Sequence, residues 1–189
     1  MKRKMLVTDI DGTLSHGEIV HPHVIAACDR LRNHGWEIMV ATGRILATAI
    51  DHIKSIGAWL PAVVYDGARL MEPLSGKVLW EATLPTDVVE EVLHIGWQVP
   101  LEMQIFTDES AICRKTDEET RRFLTRANVS VDDTLQTPHV TERVFRIIFY
   151  GDPREILRLE EHIGAVLGDV VDVMRSGDDF LDVVPIGVS

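Results

Sequence analysis

Three short apolar runs, Met5–Val7, Ile38–Val40 and Val63–Val64, alternate with two segments whose apolar residues recur at helical spacing, and this constrains the fold more than any other feature. In the first spacer Val24, Cys28 and Leu31 recur between Pro22 and His34, and Gly35 supplies a stop. In the second, Ile45, Ala49, Ile53 and Ile56 share one stripe that ends at Gly57. Continuous apolar runs suit strands covered on both faces. Strand, helix, strand, helix, strand predicts an α/β unit whose first three strands form a parallel sheet with right-handed crossovers. Ligands of such sheets sit beyond the carboxyl ends of the strands, which directs attention to Asp9, Ala41 and the segment from Tyr65 onward.

After Asp66 the pattern changes. Ala68–Met71 and Lys77–Trp80 flank Glu-Pro-Leu-Ser-Gly and read as a hairpin. From Leu84 a second unit begins. A helix opens at Pro85, strands are expected over Leu101–Phe106, Ala111–Arg114, Val144–Tyr150, Val170–Met174 and Phe180–Val184, and helices over Asp117–Ala127 and from Pro153. With 46% apolar residues in 189, the chain can bury one ordinary core and a second small one. The formal charge of −11 repels nucleic acid and anionic membrane surfaces, and no run approaches the ~20 apolar residues of a membrane helix. Cys28 and Cys113 stand far apart and outside any C-x-x-C pair, so neither a disulfide framework nor a zinc site is indicated. A cytoplasmic protein is expected, with no nucleic acid or membrane partner.

Asp9-Ile10-Asp11-Gly12-Thr13-Leu14 follows the first strand directly. Residues two apart in extended backbone project to the same side, so Asp9 and Asp11 can reach one small volume. Like charges held together are costly, and a divalent cation with a taste for hard oxygen ligands, Mg²⁺, offsets that cost. The alternative is an Asx turn in which Asp and Gly only shape a loop. Thr42-Gly43-Arg44 follows the second strand and comes beside Asp9 if the two strands are neighbours. The Thr42 hydroxyl and the following N–H groups can hold a phosphate oxygen, or Thr42 can cap the next helix, and the two roles are compatible.

Asp-x-Asp-Gly-Thr-Leu after a first apolar strand, with Ala-Thr-Gly-Arg after a second, resembles the haloacid dehalogenase superfamily of phosphatases. Tyr65-Asp66-Gly67-Ala68, the long α+β segment and the closing Phe180–Ser189 stretch resemble its Cof-type branch, which carries a type IIB cap. The resemblance implies a partial Rossmann-like core over residues 1–82, an inserted α+β cap over 83–184 and a return segment into the core over 185–189. It implies Asp9 as nucleophile and Asp11 as general acid and base in the hydrolysis of a small phosphorylated metabolite, such as a sugar phosphate. Mg²⁺ would be held by Asp9 and the Asp11 carbonyl, and phosphate by Thr42 and Gly43. Arg44, Asp66 and Arg146 are candidate substrate contacts.

Two departures follow from the same resemblance. The branch usually has Asn where this chain has Asp66, which adds negative charge near an anion site. It also continues after Gly-Val-Ser with a phosphate-clamping Lys and a Gly-Asp-x-x-Asn-Asp motif, whereas this chain ends at Ser189. Residues 1–189 alone are therefore expected to be weak or inactive, and the exposed edge of the first strand is expected to self-associate. The rival readings are a phosphomutase-type phosphotransferase and a non-catalytic fragment. His21-Pro22-His23 reads as a loop opening a helix, and Trp36, Trp59, Trp80 and Trp97 as packing anchors. Glu102, Gln104 and Arg146 read as a solvated outer sheet face.

Overall fold

A computed structural model describes residues 4–16, 19–108, 110–114, 116, 118–126, 129–133 and 135–188. The expected helix ends at Asp117 and Ala127, and the terminal Ser189, lie outside the described residues. The chain divides after Glu81 into two compact units.

In the first unit β1 (Lys4–Thr8), α1 (Pro22–Asn33), β2 (Trp36–Val40), α2 (Leu46–Ile56) and β3 (Ala62–Val64) follow in order. Strands β1 and β2 pair in parallel with Leu6 opposite Ile38 and Thr8 opposite Val40. A parallel bridge from Ala41 to Val63 extends the pairing toward β3. The first three strands are thus parallel, as their continuous apolar runs predict. Helix α2 buries Ala49, His52, Ile53 and Ile56, and terminates because Gly57 adopts φ 63°, a left-handed conformation glycine takes at no steric cost. Then β4 (Arg69–Met71) and β5 (Val78–Glu81) form the expected hairpin, with β4 also antiparallel to β3. Met5 and Val7 on β1 remain about half exposed.

The second unit contains α3 (Thr86–Trp97), β6 (Glu102–Phe106), β7 (Ser110–Cys113), α4 (Glu118–Arg126), β8 (Ser130–Asp132), β9 (Arg146–Tyr150), α5 (Pro153–Leu167), β10 (Val171–Met174) and β11 (Phe180–Pro185). Its sheet runs β10-β11-β9-β6-β7-β8, antiparallel except for the β7–β8 pair. Strand β8 has too little apolar character to be read from sequence and forms by pairing Val131 with Ala111. One sheet face meets the apolar stripes of α3 and α5, so that Val92, Leu93, Ile156 and Leu159 pack with Met103, Ile105, Ile147, Phe149, Leu181 and Val183. Among the described residues no helix is long and apolar enough to cross a membrane.

The opposite face corrects an expectation. Glu102, Gln104 and Arg146 were expected on a solvated surface, yet Gln104 is only 8% exposed and the Arg146 side chain 13%. The physical reason is that polar groups there are matched within the protein. The Arg146 guanidinium lies 3.7 Å from Asp182, itself 4% exposed, and 4.8 Å from the Phe106 ring centroid.

Gly96 on α3 is where the helix meets the sheet most tightly. A methyl group there would collide with the fully buried Phe149 ring and stand 3.4 Å from Met103 Sδ. Gly96→Ala gains ~1 kcal/mol of helix propensity but overpacks a dense core, which costs ~1–3 kcal/mol. The expected net result is a lower urea midpoint for this unit, and an unchanged or raised midpoint would show that Phe149 has room to move.

Candidate active site

Asp9 is the first residue beyond β1, where the ladder ends: the Ala41 N–H donates to Thr8 O at 2.9 Å, which sets Asp9 beside the β2 exit. The chain then turns sharply. Leu14 and Ser15 both donate from their N–H groups to Ile10 O at 2.9 Å, and Gly12 meets the turn with φ 72°. A residue with a Cβ is disfavoured at that φ, which explains the Gly of the Asp-x-Asp-Gly motif. Asp9 and Asp11 are both exposed at this strand end while Ile10 between them is buried. The turn and the paired carboxylates therefore coexist.

The second element is built on β2 and β3. The Thr42 N–H donates to Val63 O at 3.0 Å, and the Arg44 N–H donates to Thr42 Oγ1 at 3.2 Å. Thr42 does not cap α2. That position belongs to Ile45, which is extended and supplies no side-chain cap, so the 42–44 loop stands between strand and helix as an element of its own. The third element is joined to it: the Tyr65 N–H donates to Arg44 O at 3.0 Å. Asp66 then packs its carboxylate against Gly43, so closely that a Cβ on Gly43 would collide with it.

Arg44 faces Asp11. Its Nε donates to Asp11 Oδ2 at 2.8 Å and its Nη2 to Oδ1 at 2.6 Å, a bidentate fork-to-carboxylate pair. Nη1 also donates to Thr48 O at 3.3 Å, which anchors the guanidinium to α2. Hydrogen bonding from Arg44 holds the Asp11 carboxyl below its usual range against the opposing effect of burial, with a smaller pull from buried His52. The sign is that of any depressed carboxylate. The pair stabilises the fold above the ordinary Asp range, and the contribution is lost as pH falls through the lowered value.

The structure therefore brings Asp9, Asp11, Thr42, Gly43, Arg44 and Asp66 together at the carboxyl ends of β1, β2 and β3. Arg146 lies on β9 of the second unit, engaged with Asp182. His52 escaped the sequence reading, although its place one residue before Ile53 on the apolar stripe of α2 marks it as buried.

Asp9 and Asp11 offer oxygen donors only, and both are exposed at one strand end, which fits a hard cation such as Mg²⁺. Among the described residues no group of three or more His, Cys, Asp or Glu forms a metal cluster. The cation would rest on these two residues and water, in keeping with the one or two carboxylates Mg²⁺ usually takes from protein.

An HMP-PP phosphatase of Escherichia fergusonii is 28% identical over 190 residues, covering 97% of this chain and 68% of the relative. A haloacid dehalogenase-like hydrolase structure from Bacteroides thetaiotaomicron superposes with a TM-score of 0.84 at 19% identity, covering 100% of this chain and 73% of that one. A subclass IIB sugar phosphatase of the same superfamily superposes with a TM-score of 0.77 at 16% identity, covering 98% and 71%. The family model for haloacid dehalogenase-like hydrolases matches residues 6–189, and the chain belongs to that family.

Proposed function

We propose that this hydrolase cleaves phosphomonoesters of small metabolites with the help of Mg²⁺, through a phosphoryl group carried on Asp9. One observation supports the reading above the others: the Asp9 and Asp11 carboxylates, the Thr42-Gly43 loop and the Tyr65-Asp66 segment converge at adjoining strand ends. The names of the relatives, an HMP-PP phosphatase and a sugar phosphatase, favour small phosphorylated substrates.

In the first half-reaction Asp11, which takes up a proton from solvent as its pair with Arg44 opens on substrate binding, gives that proton to the departing alcohol oxygen while an Asp9 carboxylate oxygen attacks phosphorus and the ester P–O bond breaks. In the second, Asp11 takes a proton from water as the water oxygen attacks phosphorus. The Asp9–phosphoryl bond breaks, releasing inorganic phosphate and the Asp9 carboxylate, and Asp11 returns its proton to solvent as it pairs again with Arg44. Thr42 and Gly43 orient the phosphoryl oxygens. Mg²⁺, held by the Asp9 carboxylate and the Asp11 carbonyl, would neutralise charge on the transferring group. Arg44 sets the carboxylate of Asp11 in place between turnovers. The second unit corresponds in this reading to the cap.

The test, made in the full-length context, is phosphate release from a panel of small phosphomonoesters, with and without chelator. Release of inorganic phosphate that stops with EDTA and returns with added Mg²⁺ is expected. Isomerised phosphate esters without free phosphate would replace hydrolysis by mutase chemistry, and activity indifferent to chelation would remove the metal.

A further inference from the structure

We propose that Asp66 makes the substrate seat selective for charge: it favours phosphomonoesters whose alcohol carries a cationic group close to the ester, and disfavours those carrying a second anion there. This rests on the phosphatase reading above and narrows its substrate class.

The position of the carboxylate carries the inference. Asp66 Cγ and Oδ2 stand 3.2 and 3.5 Å from the point where a Gly43 Cβ would lie, with Oδ1 closer still. Gly43 is the middle residue of the loop between β2 and α2, beside Asp9. A formal negative charge thus lies against the element proposed to receive a phosphate.

The backbone shows that this placement is enforced. Tyr65 and Asp66 both have positive φ, 55° and 52°, in a single 3₁₀ turn. Asp tolerates that region, but a bulky Tyr is strained in it, and such strain persists only where the surroundings over-determine it. Here they do. The Tyr65 N–H is bound to Arg44 O, and its ring is buried with the Arg69 guanidinium 5.6 Å from the centroid. Arg69, itself 4% exposed, is fixed by Glu81 Oε2 at 2.8 and 3.2 Å. A chain from Glu81 through Arg69 and Tyr65 therefore holds the half-buried Asp66 against Gly43.

A fixed carboxylate at that point repels any further anion on the substrate and attracts a neighbouring ammonium. Discrimination of about ten- to a hundredfold between opposite charges a few ångströms away is the expected scale. Asp66→Asn keeps shape, and Asn is equally at ease with positive φ, so the variant isolates the charge.

The experiment, made in the full-length context, compares three esters of nearly equal size with the wild-type protein and with Asp66→Asn: phosphoethanolamine, ethyl phosphate and phosphoglycolate. The wild-type protein is expected to show kcat/KM highest for phosphoethanolamine and lowest for phosphoglycolate. Asp66→Asn should compress the ratio between those two by about tenfold or more, mainly through KM. A wild-type order that is flat or reversed, or a ratio unchanged in Asp66→Asn while phosphate is still released, overturns the inference and leaves the phosphatase reading standing. Absence of phosphate release from all three by both proteins, with Mg²⁺ present, overturns both.

Discussion

In the full-length context, Asp9→Asn is expected to abolish phosphate release while leaving the fold unchanged. An amide oxygen is a poor nucleophile for phosphorus, and it cannot return the enzyme to its starting state by hydrolysis, so the loss should span many powers of ten. The fold should be indifferent because the β1–β2 ladder is made by backbone groups up to Thr8 and Ala41, and the Asp9 side chain lies exposed beyond them. An unchanged thermal midpoint with no detectable turnover is the expected pair of results. More than about a tenth of the wild-type rate in Asp9→Asn would exclude Asp9 as the covalent catalyst.

The difference between what is legible in this sequence and what is not follows the range of the interactions concerned. The parallel order of β1, β2 and β3 is legible because burial on both faces writes a continuous apolar run into each strand, and Gly35 and Gly57 punctuate the helices between them. Asp9 and Asp11 are legible because their spacing is a local property of an extended chain. The grip of Arg44 on Asp11 is not, since it joins residues 33 positions apart through a side chain whose direction depends on where α2 begins. Thr42 shows how a local rule can mislead. Thr before a helix suggests a cap, but an extended Ile45 moves the helix start three residues on, and the hydroxyl turns back to the Arg44 N–H instead. Gln104 and Arg146 mislead in the same way: alternation marks their face as polar, and only tertiary structure, with Arg146 beside Asp182, reveals that it is closed to water.

The Arg44–Asp11 pair shapes the second large prediction, Asp11→Ala. At neutral pH Arg44 keeps Asp11 ionised, which suits the removal of a proton from water but opposes the donation of one to a departing alkoxide. Donation therefore requires the pair to open and Asp11 to take up a proton from solvent when substrate is bound, and the benefit of Asp11 should depend on how much help the leaving group needs. General acid–base assistance is worth ~10²–10⁴-fold, so Asp11→Ala should lose about that much with an alkyl phosphate. With p-nitrophenyl phosphate the ester bond breaks without a proton, and formation of the Asp9–phosphoryl species should survive even though its hydrolysis slows. Rapid-quench measurement should then show a burst of p-nitrophenol, roughly one equivalent per enzyme, followed by a slow steady state. Equal losses for alkyl and aryl esters, with no burst, would mean that Asp11 acts by fixing Arg44 or the metal rather than by moving protons.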